Sequence, residues 1–105
     1  MMKILVFVGS HCPHCPAAVK VVKDVSGEYR KYGVTFEKIR TRTPEGKKLS
    51  GNYGISAVPT IIILDKKGNE SKRITGAPKE SSLKSDIEEI LGIKKKSFFD
   101  RILGR

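Results

Sequence analysis

Both cysteines and both histidines of the chain lie in residues 9–16, which read Gly-Ser-His-Cys-Pro-His-Cys-Pro. Cys12 and Cys15 are three positions apart, a spacing typical of two thiols that exchange with a disulfide as one two-electron couple. A structural disulfide or a pair of inert thiols is the simpler alternative. Structural zinc sites bring ligand pairs from two separate segments, and the sequence has no second pair. Haem attachment requires His directly after the second cysteine, where Pro16 stands.

The residues on either side predict that a strand and a helix hold the two cysteines. The apolar run over 4–8 favours a buried strand, and apolar residues recur at helical spacing from Cys15 to Tyr29. We therefore predict a strand-to-helix turn, with Cys12 at or just before the first helical residue. Pro13 suits the opening of that helix, whereas Pro16 is expected to loosen its first turn.

This placement predicts different roles for the two thiols. Unpaired N–H groups at a helix N-terminus stabilise negative charge, which favours the thiolate of Cys12. Cys15, one turn further in and more buried, is placed to attack a mixed disulfide formed on Cys12. The position of the pair favours redox function over a structural disulfide.

Length and charge limit the possible functions. With 105 residues the chain has room for one domain. Residues 93–105 carry five basic and one acidic residue (+4), which leaves +6 of the net charge of +10 for the rest. We interpret this surplus as a lysine-rich solvated surface and expect no nucleic-acid partner. The chain lacks both an apolar stretch of about 20 residues and the features of a signal peptide, so we expect no membrane span and a cytoplasmic location.

The remaining patterns predict an α/β fold in the order βαβ-α-ββ-α. In chain order they are a first helix that stops at Gly33, a strand over 34–40, a helix over 43–53, a strand over 58–64, a strand over 70–75 and a helix that ends at Gly92. We expect a four-stranded mixed sheet flanked by helices on both faces. We predict a domain over 1–92 and a basic amphipathic extension over 93–105, whose Phe98, Phe99, Ile102 and Leu103 dock on the domain.

Three local motifs resemble those of thioredoxin-fold proteins of the small thioredoxin/glutaredoxin-like type. They are Cys-Pro-His-Cys at 12–15, Tyr-Gly-Ile-Ser-Ala-Val-Pro-Thr at 53–60, and Gly-Ala-Pro at 76–78. In that family the second motif carries a cis-proline and the third is a glycine turn before the last helix. The resemblance covers residues 3–92 and implies a thioredoxin fold.

The resemblance also implies a function and a set of site residues. The implied activity is reduction of protein disulfides by dithiol exchange, with Cys12, Cys15, His14 and Pro13 as the catalytic motif. The implied substrate-binding residues are His11, Val58, Pro59, Thr60 and Gly76. The Val58–Pro59 bond would be cis and packed against the disulfide, with the Val58 main chain paired to an extended substrate. No cofactor beyond the cysteine pair and no metal is expected. The partners would be disulfide-containing proteins as substrates and a separate reductase as electron donor. The protein itself is expected to be a monomer.

Several positions depart from the family patterns. Val6 stands where thioredoxins keep a buried Asp that accepts the proton of the second cysteine, and Glu37 is a possible substitute. The lysine that glutaredoxins carry before the site and their Gly-Gly-x-Asp-Asp segment are both absent, which argues against a glutathione site. A glutathione-dependent glutaredoxin remains one alternative. A non-catalytic module that binds a metal or a partner through the same cysteines is the other.

Overall fold

One four-stranded mixed sheet forms the centre of the computed structural model, which describes residues 2–92. The elements are β1 (Met2–Val8), α1 (Cys15–Glu28), a 3₁₀ turn (Arg30–Tyr32), β2 (Val34–Arg40), α2 (Pro44–Tyr53), β3 (Thr60–Leu64), β4 (Glu70–Thr75) and α3 (Glu80–Leu91). The strand order is β2-β1-β3-β4. β1 is parallel to β2 and antiparallel to β3, which is in turn antiparallel to β4. The predicted element order and mixed sheet are confirmed.

β1 contributes side chains to both apolar clusters of the core, one on each face of the sheet. Every side chain of β1 except Lys3 is buried, because helices cover both faces of the sheet. Val6 and Val8 face the larger core cluster, which includes α1 and α3 residues such as Val22 and Leu83. Phe7 points to the other face, where it packs in a smaller cluster against α2. Because successive side chains of a strand point to opposite faces of the sheet, β1 contributes side chains to both apolar layers.

Glycine and threonine set the ends of several elements. Gly92 has φ 80° at the end of α3, as predicted. Gly33 has φ 85° and closes the 3₁₀ turn, but α1 itself ends at Glu28, earlier than predicted. The Thr43 hydroxyl accepts a hydrogen bond from the Gly46 N–H and caps α2, so the predicted start of this helix is confirmed. The predicted strand over 58–64 is shorter than expected, since β3 begins only at Thr60.

Residues 93–105 lie outside the part of the chain that the structure describes. The proposed docking of Phe98, Phe99, Ile102 and Leu103 lies outside the described residues. Within residues 2–92, every helix is too short or too polar to cross a membrane.

Gly46 lets α2 begin directly beside the end of β2. A Cβ at this position would overlap the Arg40 carbonyl oxygen, whereas a Cβ at Gly51 in the same helix would meet nothing within 4 Å. The start of α2 therefore packs against the β2 backbone so closely that only glycine fits.

We predict opposite effects from alanine at these two glycines. Gly46→Ala should lower the free energy of unfolding by about 1–3 kcal/mol, the usual cost of overpacking. Gly51→Ala is the matched control and should raise it by about 0.5–1 kcal/mol through helix propensity. Urea denaturation of both variants measures the two differences. Equal effects at the two positions would contradict the close packing of α2 on β2.

Candidate active site

Cys12 and Cys15 form a disulfide in the loop that follows β1. α1 begins at Cys15, with His14 as its N-cap residue, so Cys12 lies three residues before the first helical position. The prediction of Cys12 at or next to that position is therefore wrong. Pro16 is the second helical residue, where no backbone donor is needed. It does not loosen the helix, contrary to expectation.

The two cysteine residues differ in their exposure to solvent. Cys15 is 5% exposed and belongs to the core cluster, whereas Cys12 is only partly buried at its edge. The Cys15 N–H donates a hydrogen bond to the Cys12 carbonyl at 3.3 Å, which holds the turn between them. An incoming group therefore reaches Cys12 first, and Cys15 stands behind it.

The end of β1 is fastened to the loop that follows β2. The Val8 carbonyl accepts two hydrogen bonds from Thr41, one from its N–H at 3.0 Å and one from its hydroxyl at 3.2 Å. The Arg40 carbonyl accepts a bond from the Thr43 hydroxyl at 2.9 Å. These bonds keep the loops after β1 and β2 side by side.

The segment before β3 lies against the cysteine loop on another side. The Val58–Pro59 peptide bond is cis, as predicted. A Cβ on Gly9 would lie 3.0 Å from Val58 Cγ2, so the two segments touch there. The Gly76 N–H donates to the Pro59 carbonyl at 2.9 Å, and the Thr60 hydroxyl donates to the Ala57 carbonyl at 2.6 Å. Pro59, Thr60 and Gly76 therefore lie together, while Val58 is 37% exposed.

A groove of about 600 Å³ opens beside the disulfide, on the side of β2. Its lining residues are Val8, Gly9, Ser10, Cys12, Cys15, Pro16, Val19, Lys38, Arg40, Arg42 and Thr43. The composition predicts a general solvated surface for the basic residues, and no sequence motif connects Lys38, Arg40 and Arg42 with the cysteines. The sequence did contain one signal for this grouping: Lys38 and Arg40 are two positions apart on β2, which places both on one face of the sheet.

The other predicted residues take less specific positions. His11, Pro13 and His14 are exposed in the loop, and the His14 side chain makes no capping hydrogen bond. Glu37 does not replace the missing acid, because it is exposed and pairs with Lys3 at 3.5 Å. Within residues 2–92, no cluster of three or more His, Cys, Asp or Glu side chains is placed to hold a metal ion.

Comparison with known sequences gives one consistent family. Residues 2–90 match the family model described as a thioredoxin-like domain. The chain is 38% identical over 90 residues to a thioredoxin of Methanocaldococcus jannaschii, covering 86% of this chain and 96% of that protein. It is 37% identical over 92 residues to a probable thioredoxin of Archaeoglobus fulgidus, covering 88% and 90%.

Comparison with solved structures supports the same fold. Malassezia sympodialis thioredoxin superimposes with a TM-score of 0.70 at 22% identity, covering 86% of this chain and 75% of that one. Fasciola hepatica thioredoxin gives a TM-score of 0.69 at 24% identity, covering 84% and 79%. The predicted thioredoxin fold is confirmed.

The difference in burial predicts which thiol reacts first. In the reduced protein, a limiting amount of iodoacetamide should label predominantly Cys12, because thiolate character and access both favour it. Tandem mass spectrometry of the peptide that contains both cysteines locates the label. The control is the reduced protein in urea, where the two thiols should react to similar extents. Preferential labelling of Cys15 in the folded protein would contradict this assignment.

Proposed function

The chain belongs to the family of thioredoxin-like domains, and from this premise we propose that it reduces disulfide bonds in other proteins through Cys12 and Cys15. The relatives and the close cysteine pair already make it a thiol–disulfide oxidoreductase. The observation that carries the finer proposal is the pairing of an accessible with a buried cysteine at the end of β1. Such a pair can bind a substrate sulfur covalently and then release it.

The reaction proceeds in two exchange steps. The Cys12 thiolate attacks one sulfur of the substrate disulfide, which forms a mixed disulfide and releases the other substrate sulfur as a thiolate. The Cys15 thiolate then attacks the Cys12 sulfur, so that the second substrate sulfur leaves as a thiolate. The substrate gains two electrons and two protons, and the protein is left with the Cys12–Cys15 disulfide.

Two local features favour the attacking thiolate. The N-terminus of α1, which carries the partial positive charge of the helix dipole, lies next to the cysteine loop and stabilises negative charge there. His14, between the two cysteines in the chain, adds a polar side chain to this loop. A stabilised thiolate stabilises the reduced protein, which makes the couple more oxidising.

The segment before β3 is suited to hold an extended substrate chain. Among residues 2–92, neither the N–H nor the C=O of Val58 has a hydrogen-bond partner. Both groups are thus available to pair with a substrate main chain, as in strand addition at a sheet edge. The hydrogen bonds of Pro59, Thr60 and Gly76 hold this segment in place. The exposed His11, in the cysteine loop, would contact the substrate at the edge of the site.

The remaining parts of the proposal concern the protein's surroundings. The cysteine pair needs no further cofactor, and a separate reductase returns it to the dithiol. Residues 76–80 read Gly-Ala-Pro-Lys-Glu and lack the Gly-Gly-x-Asp-Asp segment of glutaredoxins. We therefore propose a reductase rather than glutathione as the electron donor. Net reduction of substrates requires a reducing compartment, so we place the protein in the cytoplasm. We propose that it acts there as a monomer, with residues 93–105 as an extension of the domain.

Serine at each cysteine tests the two-step mechanism. Cys12→Ser should abolish reduction of a protein disulfide, because the nucleophile is lost. Cys15→Ser should instead accumulate a mixed disulfide with the substrate, because resolution is lost. Insulin reduction and non-reducing electrophoresis measure the two outcomes. Activity in Cys12→Ser, or no trapped substrate with Cys15→Ser, would show that the assigned roles are wrong.

Replacement of His14 tests its influence on Cys12. His14→Gly keeps an acceptable N-cap residue but removes the imidazole, so the Cys12 thiol should ionise at higher pH and the couple should become more reducing. Thiolate absorbance and equilibrium with a dithiol buffer give the two quantities. His11→Gly, in the same exposed loop, is the matched control and should shift both less. Indistinguishable titrations of His14→Gly and the unmodified protein would exclude His14 from the mechanism.

A further inference from the structure

Three cations line the groove beside the disulfide. Lys38, Arg40 and Arg42 are all exposed, and they share this groove with Cys12 and Cys15. No acidic residue is among the described residues that line it. A ligand that reaches the sulfur atoms from this side therefore passes three positive charges and no negative one.

The strand register explains why these cations lie beside the cysteines. Val6 pairs with Lys38 and Val8 pairs with Arg40 in the parallel β1–β2 ladder. Both pairs point to the α1 face of the sheet, the face that Cys15 packs against. β2 is an edge strand, so its outer flank next to α1 is open to solvent.

Lys38, Arg40 and Arg42 share one groove, and none of them belongs to an ion pair of the described residues. The described part of the chain contains six ion pairs, among them Lys3–Glu37, Lys20–Asp24 and Lys72–Asp86. None of these pairs includes Lys38, Arg40 or Arg42, and among residues 2–92 no hydrogen bond involves the side-chain nitrogens of these three residues. Three neighbouring cations without an acidic partner favour an anion supplied from outside.

We propose that this groove binds carboxylate groups of the substrate, so that the protein preferentially reduces disulfides flanked by Asp or Glu. The proposal rests on the reductase function, since the same substrate must place a sulfur on Cys12. The occupant is an acidic peptide segment that continues from the attacked disulfide along β2. The groove begins at the cysteines, which is why its ligand is part of a disulfide substrate. Its volume is in the range of sites that hold several side chains.

The size of the preference follows from the exposure of the charges. Exposed charge pairs each change affinity or association rate by a few-fold at most, and salt screens them. Carboxylates that meet three cations should therefore gain about tenfold at low ionic strength. At about 1 M salt, where the Debye length is about 3 Å, most of this gain should disappear.

Three disulfide peptides that differ only in the residues flanking one cysteine provide the test. The flanking positions carry Glu, Gln or Lys, and kcat/KM for reduction is measured at low and at high salt. We expect the Glu peptide to react about tenfold faster than the Gln peptide at low salt and the Lys peptide to be the slowest. The preference should shrink to about twofold or less at 1 M salt.

A matched pair of double variants separates a local effect from a change in net charge. Arg40→Glu with Arg42→Glu should reverse the order of the Glu and Lys peptides. Lys66→Glu with Lys67→Glu makes the same change in net charge at the β3–β4 turn, at the opposite end of the sheet and about 20 Å away. This control should keep the original order. A melting curve verifies that each variant is folded. Arg40→Gln with Arg42→Gln gives a milder version, which leaves Lys38 in place and should reduce the preference to about twofold.

The outcomes separate this proposal from the reductase function. Equal rates for the three peptides would overturn the carboxylate groove and leave the reductase function standing. Loss of the preference to the same extent in both double variants would also overturn it, because net charge alone would then be the cause. Failure to reduce any peptide, with insulin also unreduced, would overturn the reductase function itself.

Discussion

The burial of β1 on both faces is the constraint on which the site depends. β1 is also hydrogen-bonded to a strand on each side, so its carboxyl end is held within the sheet. The disulfide loop starts from this fixed end, and the paired hydrogen bonds from Thr41 to the Val8 carbonyl hold the neighbouring loop against it. The position of the two sulfur atoms thus follows from the apolar character of one strand.

Most of the fold was predictable because local signals agreed with one another. The apolar runs, the Thr43–Pro44 start and the glycines at 33 and 92 each indicated an element boundary close to the observed one. The start of α1 was not predictable in the same way. Pro13 and Pro16 are both compatible with the first positions of a helix. The first backbone bond of α1, from the Ala18 N–H to the His14 carbonyl, decides between them.

The candidate site was only half predictable from sequence. The cysteine pair and the Val58–Pro59 segment carry local motifs, so residues far apart in the chain could be assigned to one place. The groove cations carry no motif. Their place beside Cys15 depends on the β1–β2 register and on which face each β2 residue takes. The same dependence explains the error at Glu37, whose side chain lies on the face opposite Lys38.

Val6, in place of a buried acidic residue, and the cations of the groove both favour negative charge at the cysteines. A buried carboxylate at position 6 would oppose a second negative charge nearby, but Val6 is apolar and fully buried. With Lys38 and Arg40 on the same face, a thiolate at either cysteine has cationic neighbours and no acidic one in the groove. If the protein reduces substrates as proposed, a substrate carboxylate in the groove would meet Lys38, Arg40 and Arg42 and no acidic side chain of the groove. Val6 and the basic edge of β2 are therefore compatible parts of one site, because both favour negative charge at the cysteines, and the proposed carboxylate preference would use the same cations.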